Sequence, residues 1–495
     1  MFASALRGAT WSSAATVVNT VVGLASLFVL VRLLGPVNYG LFAMATVALS
    51  IPLAISGDIL SQSLIQQKRL SPAAQTTIFL LELCIAATLW LIVVLFAPLV
   101  ARWFEEPLVA DLVFALAPIL VMRAVASVAI AQVRRKLEFK ALAIVNTGST
   151  VLSVALGVTL ALLDFGVWSL IYMQLMQYGS RLVLALLLSR WWPGTAPTLD
   201  SVRPLFHFNM HTLAIRLLRS VSSSLPPALI GGVLGASDLG IFEVARRFFK
   251  RINGLLIGPL NNVTLPVASK LQRETEDLRR WHGFLSVTVT ALAYPLFIGI
   301  ASILPVAVPV LFSEKWIAAI VPMQIMMLVG IRNATGFFNG GILRGRGKPE
   351  LATRMSLVSL LLSCLLLPAA VSFGVPAVVW AMVVCSVGSW MVGTYYVDKE
   401  LDSGFGRQFI VGWQSLVAAI FMFIVVTYTH NNFLLTSPRW ISFFVLVTVG
   451  AISHFAVLRF LDKRTVEQLT ALVRALVSKD RSRLTGLVEN YSAAH

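Results

Sequence analysis

Blocks of about 20 apolar residues recur from one end of this 495-residue chain to the other. They fall near 12–31, 41–60, 77–99, 111–131, 141–163, 166–189, 211–234, 240–262, 284–304, 317–338, 353–372, 375–397, 411–429 and 440–461. A helix rises about 1.5 Å per residue, so each block can cross roughly 30 Å of hydrocarbon. Backbone groups in lipid have no water to bond and must be satisfied within the crossing segment. The chain is therefore predicted to be an all-α polytopic membrane protein with about fourteen transmembrane helices. Only 12% of its residues are charged, against about 25% in soluble domains. The first block is preceded by Arg7 alone and has no clear small-residue cleavage site, so it reads as a retained span rather than a signal peptide.

Lysine and arginine set the orientation. With the N-terminus inside, 25 of the 39 fall in inner loops and tails, 4 in outer loops and 10 within spans. A missed helix would scramble that bias. It also accounts for most of the +17 net charge. Positive loops facing an anionic leaflet explain it better than nucleic-acid binding does. Cys84, Cys364 and Cys385 all lie in apolar spans with no CxxC pair and read as packing residues.

The chain repeats itself. "LGPVNYGLF" at Leu34–Phe42 matches "LGASDLGIF" at Leu234–Phe242, and "FGVW" at Phe165–Trp168 echoes "FGVP" at Phe373–Pro376. "RRKLEF" at Arg134–Phe139 and "RGRGKPE" at Arg344–Glu350 both end a fourth span. The offset is about 200 residues and six spans. Six is even, so the halves share one orientation and should be related by an axis along the membrane normal. The expected organisation is an N-terminal lobe (1–200), a C-terminal lobe (201–408), two further spans (409–461) and a tail (462–495), with a central cavity between two six-helix parallel-repeat lobes. The tail places Val466, Leu469, Leu472, Val473 and Leu476 opposite Arg464, Arg474 and Lys479, as an amphipathic helix on the inner leaflet would.

Charge inside the spans is the functional signal. In "EVARRFFKRI", Glu243, Arg246, Arg247, Lys250 and Arg251 recur at helical spacing on one face. Counted from Gly240, Arg251 lies roughly 16 Å down the helix. Charges at such depth face a bundle interior or a watery cavity more often than lipid. Glu243 and Arg247 form an i,i+4 pair. Arg216 and Arg219 add charge on the seventh span, and Arg123 and Arg332 occupy comparable places in the two lobes. Surplus guanidinium suits an anionic, phosphate-bearing ligand, because its planar fork matches phosphate oxygens. Snorkelling to the outer headgroups is the competing reading. Asp58, Glu82 and Glu243 are the carboxylates available for coupling to a proton or sodium ion. His207 and His211 in "HFNMH" lack a third ligand and read as interfacial. No cofactor motif is present, and neither a P-loop nor a GxSxG occurs in the sequence.

Taken together, "RLLGPVNYGLFAMA" (32–45), "SQSLIQQKRLS" (61–71), "RRKLEFKALAIVN" (134–146), "FGVWSL" (165–170) and "LIGGVLGASDLGIFEVARR" (229–247) resemble the bacterial polysaccharide exporters and Wzx-type oligosaccharide flippases of the multidrug/oligosaccharidyl-lipid/polysaccharide superfamily. The likeness covers nearly the whole chain. It implies two six-helix lobes plus two C-terminal helices, a cationic cavity open alternately to each side, and an oligosaccharide on a polyprenyl pyrophosphate as cargo. The family's Arg-Ala pattern falls on Arg246, with Ala245 before it rather than after it. The Asp-Asn pair that many relatives carry before "LIG" is Pro226–Pro227 here. The expected setting is the cytoplasmic membrane with both termini inside. Membrane lipids surround the protein, and a polysaccharide polymerase and glycosyltransferases are its functional neighbours. Three alternatives stand beside this: a cation-coupled multidrug exporter, a lipid-linked peptidoglycan precursor flippase, and a polytopic glycosyltransferase or polymerase. The drug exporter would favour acidic cavity residues. The enzyme would need paired carboxylates in a sizeable outer loop, where only Glu105 and Glu106 are adjacent.

Overall fold

A computed structural model of the chain describes residues 2–56, 60, 61, 64, 71–198, 203–336, 338–404 and 406–478, apart from the side chains of 2–14, 203–212, 214, 215, 258–263, 265, 407 and 472–478. Among the described residues every regular element is helical. The order is α1 (Phe2–Leu33), α2 (Pro36–Ile55), α3 (Pro72–Trp103), α4 (Leu108–Leu116), α5 (Ile119–Arg135), α6 (Phe139–Ala143), a π-turn (Ile144–Gly148), α7 (Ser149–Leu162), α8 (Val167–Ser189) and α9 (Arg203–Lys270). There follow α10 (Thr275–Leu311), a 3₁₀ turn (Glu314–Ala319), α11 (Ile320–Gly336), α12 (Asn339–Gly345), α13 (Pro349–Val371), α14 (Val375–Leu401), α15 (Arg407–Ile410), α16 (Trp413–Phe433), α17 (Arg439–Leu461) and α18 (Lys463–Ser478).

Among the described residues thirteen segments are long and apolar enough to cross a membrane, so the protein is a multi-pass membrane protein. The difference of one from the expected number lies in Arg216–Ile257, 42 residues where two spans were expected. At 1.5 Å per residue that length is about 63 Å, roughly twice the hydrocarbon thickness. The segment is interrupted at Gly235, which has φ 85° and ψ −174°. Glycine reaches that conformation without steric cost. In the first copy of the repeat, Pro36 opens a separate helix after Gly35. Proline has no N–H to extend a preceding helix and suits the first turn of a new one. Ala236 stands in its place in the second copy, so helix runs up to both sides of one extended residue.

The chain forms two compact units, Met1–Val244 and Ala245–His495. In the first, α5 is central. It packs against α3 and α8, with Val128 and Ala131 joining Leu60, Leu64 and Ile78, and Ala126, Ala129 and Ile130 joining Val145 and Ala185. In the second, α10 packs on α11 and α16, α13 on α14, and α16 on α17. The tail helix α18 begins on Asp462, whose carboxylate accepts from the Thr465 N–H (3.0 Å) and hydroxyl (2.6 Å). It turns Leu469 onto the protein, against α10 and α17, so part of its apolar face is covered by the chain itself. The cysteines correct the packing expectation. Cys385 is buried, but Cys84 and Cys364 lie on exposed faces of their spans.

The repeated "LGxxxxG" motif has a structural cause in the first unit. A Cβ added to Gly40 would lie 1.7 Å from the Ala236 carbonyl oxygen, and one on Gly240 would lie 1.9 Å from that of Pro36. The contact is reciprocal, residue 40 on 236 and 240 on 36, as two-fold-related copies make it. Both glycines are there because two backbones touch.

The fourth-span basic motifs also share a role. At the end of α5, the Arg135 Nη1 donates to the Leu64 carbonyl at 2.9 Å. Just beyond α12, Arg346 donates to the carbonyls of Gln272 and Glu400 and to the Thr275 hydroxyl. Each arginine thus grips backbone between the second and third spans of its own half, satisfying carbonyls that a helix end leaves open. Lys348 beside it pairs with Glu400. Basic residues expected to face the anionic leaflet thus brace the loops.

Two outcomes follow. Gly40→Ala and Gly240→Ala should each lower the detergent-solubilised melting midpoint, since overpacking costs about 1–3 kcal/mol. Gly179→Ala, with nothing within 4 Å, should not. Arg346→Lys should also destabilise, because one ammonium cannot hold three acceptors in a fork's geometry. Arg354→Lys, on an exposed position, should leave the midpoint unchanged.

Candidate functional site

The charged residues within the spans separate by what they touch. In the first unit they cover chain ends. Glu82, on α3, is 2% exposed. Its Oε1 accepts from the backbone N–H groups of Leu60 (3.1 Å) and Ser61 (3.0 Å). Its Oε2 accepts from the Ser127 hydroxyl on α5. Chain just beyond the end of α2 would otherwise present two N–H groups to an apolar core, which is costly. Arg123, half-buried on α5, donates from Nη1 to the Leu53 carbonyl at 2.7 Å. That carbonyl lies in the last turn of α2, where helix carbonyls run out of intrahelical partners. Ser56 at the end of α2 donates back to the Leu120 carbonyl (3.1 Å). On α9, Ser220 donates to the Ser50 carbonyl at 2.8 Å, which sets that turn of α9 beside α2. The neighbouring Arg219 is exposed and Arg216 half-buried. Asp58 lies outside the described residues, as do the side chains of His207 and His211.

The stripe itself lies on a continuous stretch of α9. Glu243 is 3% exposed. Arg246 and Arg247 are half-buried, and Lys250 and Arg251 are exposed. In a span, an exposed side chain meets lipid, a cavity or water. The opposite side of the same turns is apolar. Phe248 meets Phe312 edge to face with ring centroids 5.9 Å apart, and Phe249 lies 6.1 Å from Phe297. α9 is thus seated on α10 by its phenylalanines, which turns the cationic face away from that contact.

The structure adds two residues that charge counting passes over. Arg332, half-buried on α11, donates from Nη1 to the Asn333 Oδ1 at 2.8 Å. The Asn333 Nδ2 donates to the Asn253 Oδ1 on α9 at 3.1 Å. Asn253 stands three residues after Lys250 and seven after Arg246, on the same edge of the helix. Arg332 is thereby joined to the Arg246–Lys250 side of the stripe through an amide pair. A neutral asparagine carries no signal in a charge pattern. Its spacing from Lys250 and the Arg332–Asn333 dipeptide were the available clues. The other buried carboxylate, Asp398, holds the turn after α14, accepting from Ser403 (2.8 Å), the Gly406 N–H (3.3 Å) and Gln408 (3.4 Å).

Comparisons with known proteins agree with this architecture. The chain is 24% identical over 470 residues to the succinoglycan biosynthesis transport protein ExoT of Rhizobium meliloti (strain 1021), covering 93% of each. It is 26% identical to the teichuronic acid biosynthesis protein TuaB of Bacillus subtilis (strain 168) (68% of this chain, 71% of TuaB). It is 24% identical to the lipopolysaccharide biosynthesis protein WzxC of Escherichia coli (strain K12) (71% and 72%). Among solved structures, the lipid II flippase MurJ in an inward closed conformation superposes with a TM-score of 0.72 at 12% identity, covering 92% of this chain and 99% of MurJ. An inward-facing multidrug resistance MATE family transporter of the MOP superfamily gives 0.56 at 14% identity (78% and 95%). At those identities the likeness concerns the fold. A family profile described as a polysaccharide biosynthesis protein matches residues 29–321, which is more than half of the chain, and the protein belongs to that family.

Proposed function

We propose that this protein is a flippase. It moves polyprenyl-pyrophosphate-linked oligosaccharide repeat units across the bacterial cytoplasmic membrane by alternating access. The observation that carries the reading is the cationic edge of α9, Arg246 and Lys250, with Arg332 tied to it through Asn333 and Asn253. A polyprenyl chain can stay in the bilayer while the head group crosses. A diphosphate cannot enter hydrocarbon bare, and guanidinium groups replace the water it loses. Arg216, Arg219, Arg247 and Arg251 complete the proposed set of cations; Arg123, also expected in it from the sequence, donates to the Leu53 carbonyl and is left out of the set. Lobes 1–200 and 201–408 alternate about the axis that the reciprocal Gly40 and Gly240 contacts support. The transported unit serves polysaccharide assembly, with a polymerase and glycosyltransferases as neighbours in the same membrane and both termini cytoplasmic.

Deleting the gene should accumulate lipid-linked sugar accessible only from the cytoplasmic side, with loss of surface polymer. A double variant Arg246→Ala, Lys250→Ala expressed at the normal level should fail to restore polymer. Normal polymer in that variant would contradict the reading.

Coupling to an ion falls on Asp58, Glu82 or Glu243 in this proposal. Glu82→Gln keeps an acceptor for one donor but cannot gain or lose a proton. If Glu82 carries the coupling proton, transport in proteoliposomes should lose its dependence on an imposed pH gradient while the protein remains folded. If Glu82 serves only to cap Leu60 and Ser61, the gradient dependence should persist.

A further inference from the structure

Away from the basic motif at its end, the fourth span of each half carries one arginine, Arg123 or Arg332, and the two are used differently. Arg123 is committed to backbone, donating to the Leu53 carbonyl in the last turn of α2. Asn253 lies 200 residues on from Leu53, the offset of the "LGxxxxG" motifs, so it occupies the equivalent place on the second copy. Among the described residues the Arg332 guanidinium reaches no backbone carbonyl; it donates to the side-chain oxygen of Asn333, which is fixed in turn by Asn253. The Arg332 Nε is buried with no hydrogen-bond partner. Among the described residues Arg332 forms no ion pair. A half-buried guanidinium held by neutral amides, with donors to spare and no carboxylate, keeps its full charge for an incoming anion. An acid in place of Asn333 would grip it as well and neutralise it.

We propose that Arg332 contacts a phosphoryl oxygen of an isoprenoid diphosphate through its unmatched edge. Asn333 and Asn253 are positioning residues that hold the guanidinium in register with Arg246 and Lys250. Arg123 is a helix-capping residue that touches no substrate. The two halves of the repeat are therefore unequal, and the anion contact belongs to the second. This rests on the flippase reading for the nature of the ligand, but not for the geometry of the amide pair.

The test uses the full-length protein in nanodiscs of zwitterionic lipid, with farnesyl pyrophosphate and inorganic pyrophosphate as probes. Arg332→Gln and Asn333→Leu should each weaken binding of both probes by about tenfold or more, as losing a hydrogen bond to a charged group does. Arg123→Gln should lower the melting midpoint yet leave both dissociation constants within about twofold, below the resolution of one such bond. Asn333→Asp separates positioning from mere packing. It should keep or raise the melting midpoint while weakening anion binding, because the new carboxylate pairs with Arg332. Should Arg123→Gln weaken binding as much as Arg332→Gln, or Asn333→Asp bind as tightly as the parent, the proposal is overturned. Displacement of both probes by phosphatidylglycerol vesicles, with the same dependence on Arg332, would also overturn it, by making the site a general lipid-headgroup site. If the deletion strain shows no trapped lipid-linked sugar but the pyrophosphate results hold, the flippase reading fails while the anion contact stands.

Discussion

A broken helix inside a membrane leaves backbone N–H and C=O groups where no water can reach them, and something must cover them. Much of this protein's internal charge answers that constraint. Glu82 covers the N–H groups of Leu60 and Ser61. Arg123 covers the Leu53 carbonyl, Arg135 that of Leu64, and Arg346 those of Gln272 and Glu400. Asp398 covers the Gly406 N–H. In each case a full charge meets a fixed backbone dipole across a helix interruption, which is stronger than a neutral bond and does not depend on a second charge. The transport proposal gains from this sorting. Cations that cap are occupied with backbone, and the proposed ligand contacts lie on a different face, that of α9.

The same constraint shapes the internal repeat. Gly40 and Gly240 let two helix starts touch backbone to backbone. Close approach of this kind is how membrane helices associate without a hydrophobic driving force between them. The two copies diverge one residue away. Pro36 separates α1 from α2, whereas Ala236 lets α9 continue past the extended Gly235. A similar divergence separates Arg123, bonded to a carbonyl, from Arg332, bonded to an amide side chain. Duplication supplies the frame, and small substitutions at matched positions assign its halves different work.

Most of the architecture was legible before any coordinates. Span length and helix periodicity are both one-dimensional signals. The stripe from Glu243 to Arg251 was legible for the same reason, since charge at helical spacing within an apolar block is rare. The site's supporting residues were not. Asn253 and Asn333 lie 80 residues apart and are neutral, and nothing in their immediate neighbours marks a pair. Glu82 was noticed as an acid but not as a cap, because its partners are backbone groups that every residue possesses. The exposure of Cys84 and Cys364 is not legible either, since an apolar span has a lipid side as well as a core side and hydropathy does not tell them apart.

The sequence by itself determined that the chain crosses a membrane many times, that it carries one motif twice about 200 residues apart, and that one span carries more positive charge than hydrocarbon tolerates. These depend on local length, period and composition, which survive in any arrangement of the helices. Tertiary structure alone decided which charges hold helix ends. It also decided that two glycines meet each other's carbonyl partners and that an asparagine pair joins Arg332 to α9. Those outcomes depend on which backbone groups are left open and what stands opposite them, and such pairings exist only once distant segments are packed together.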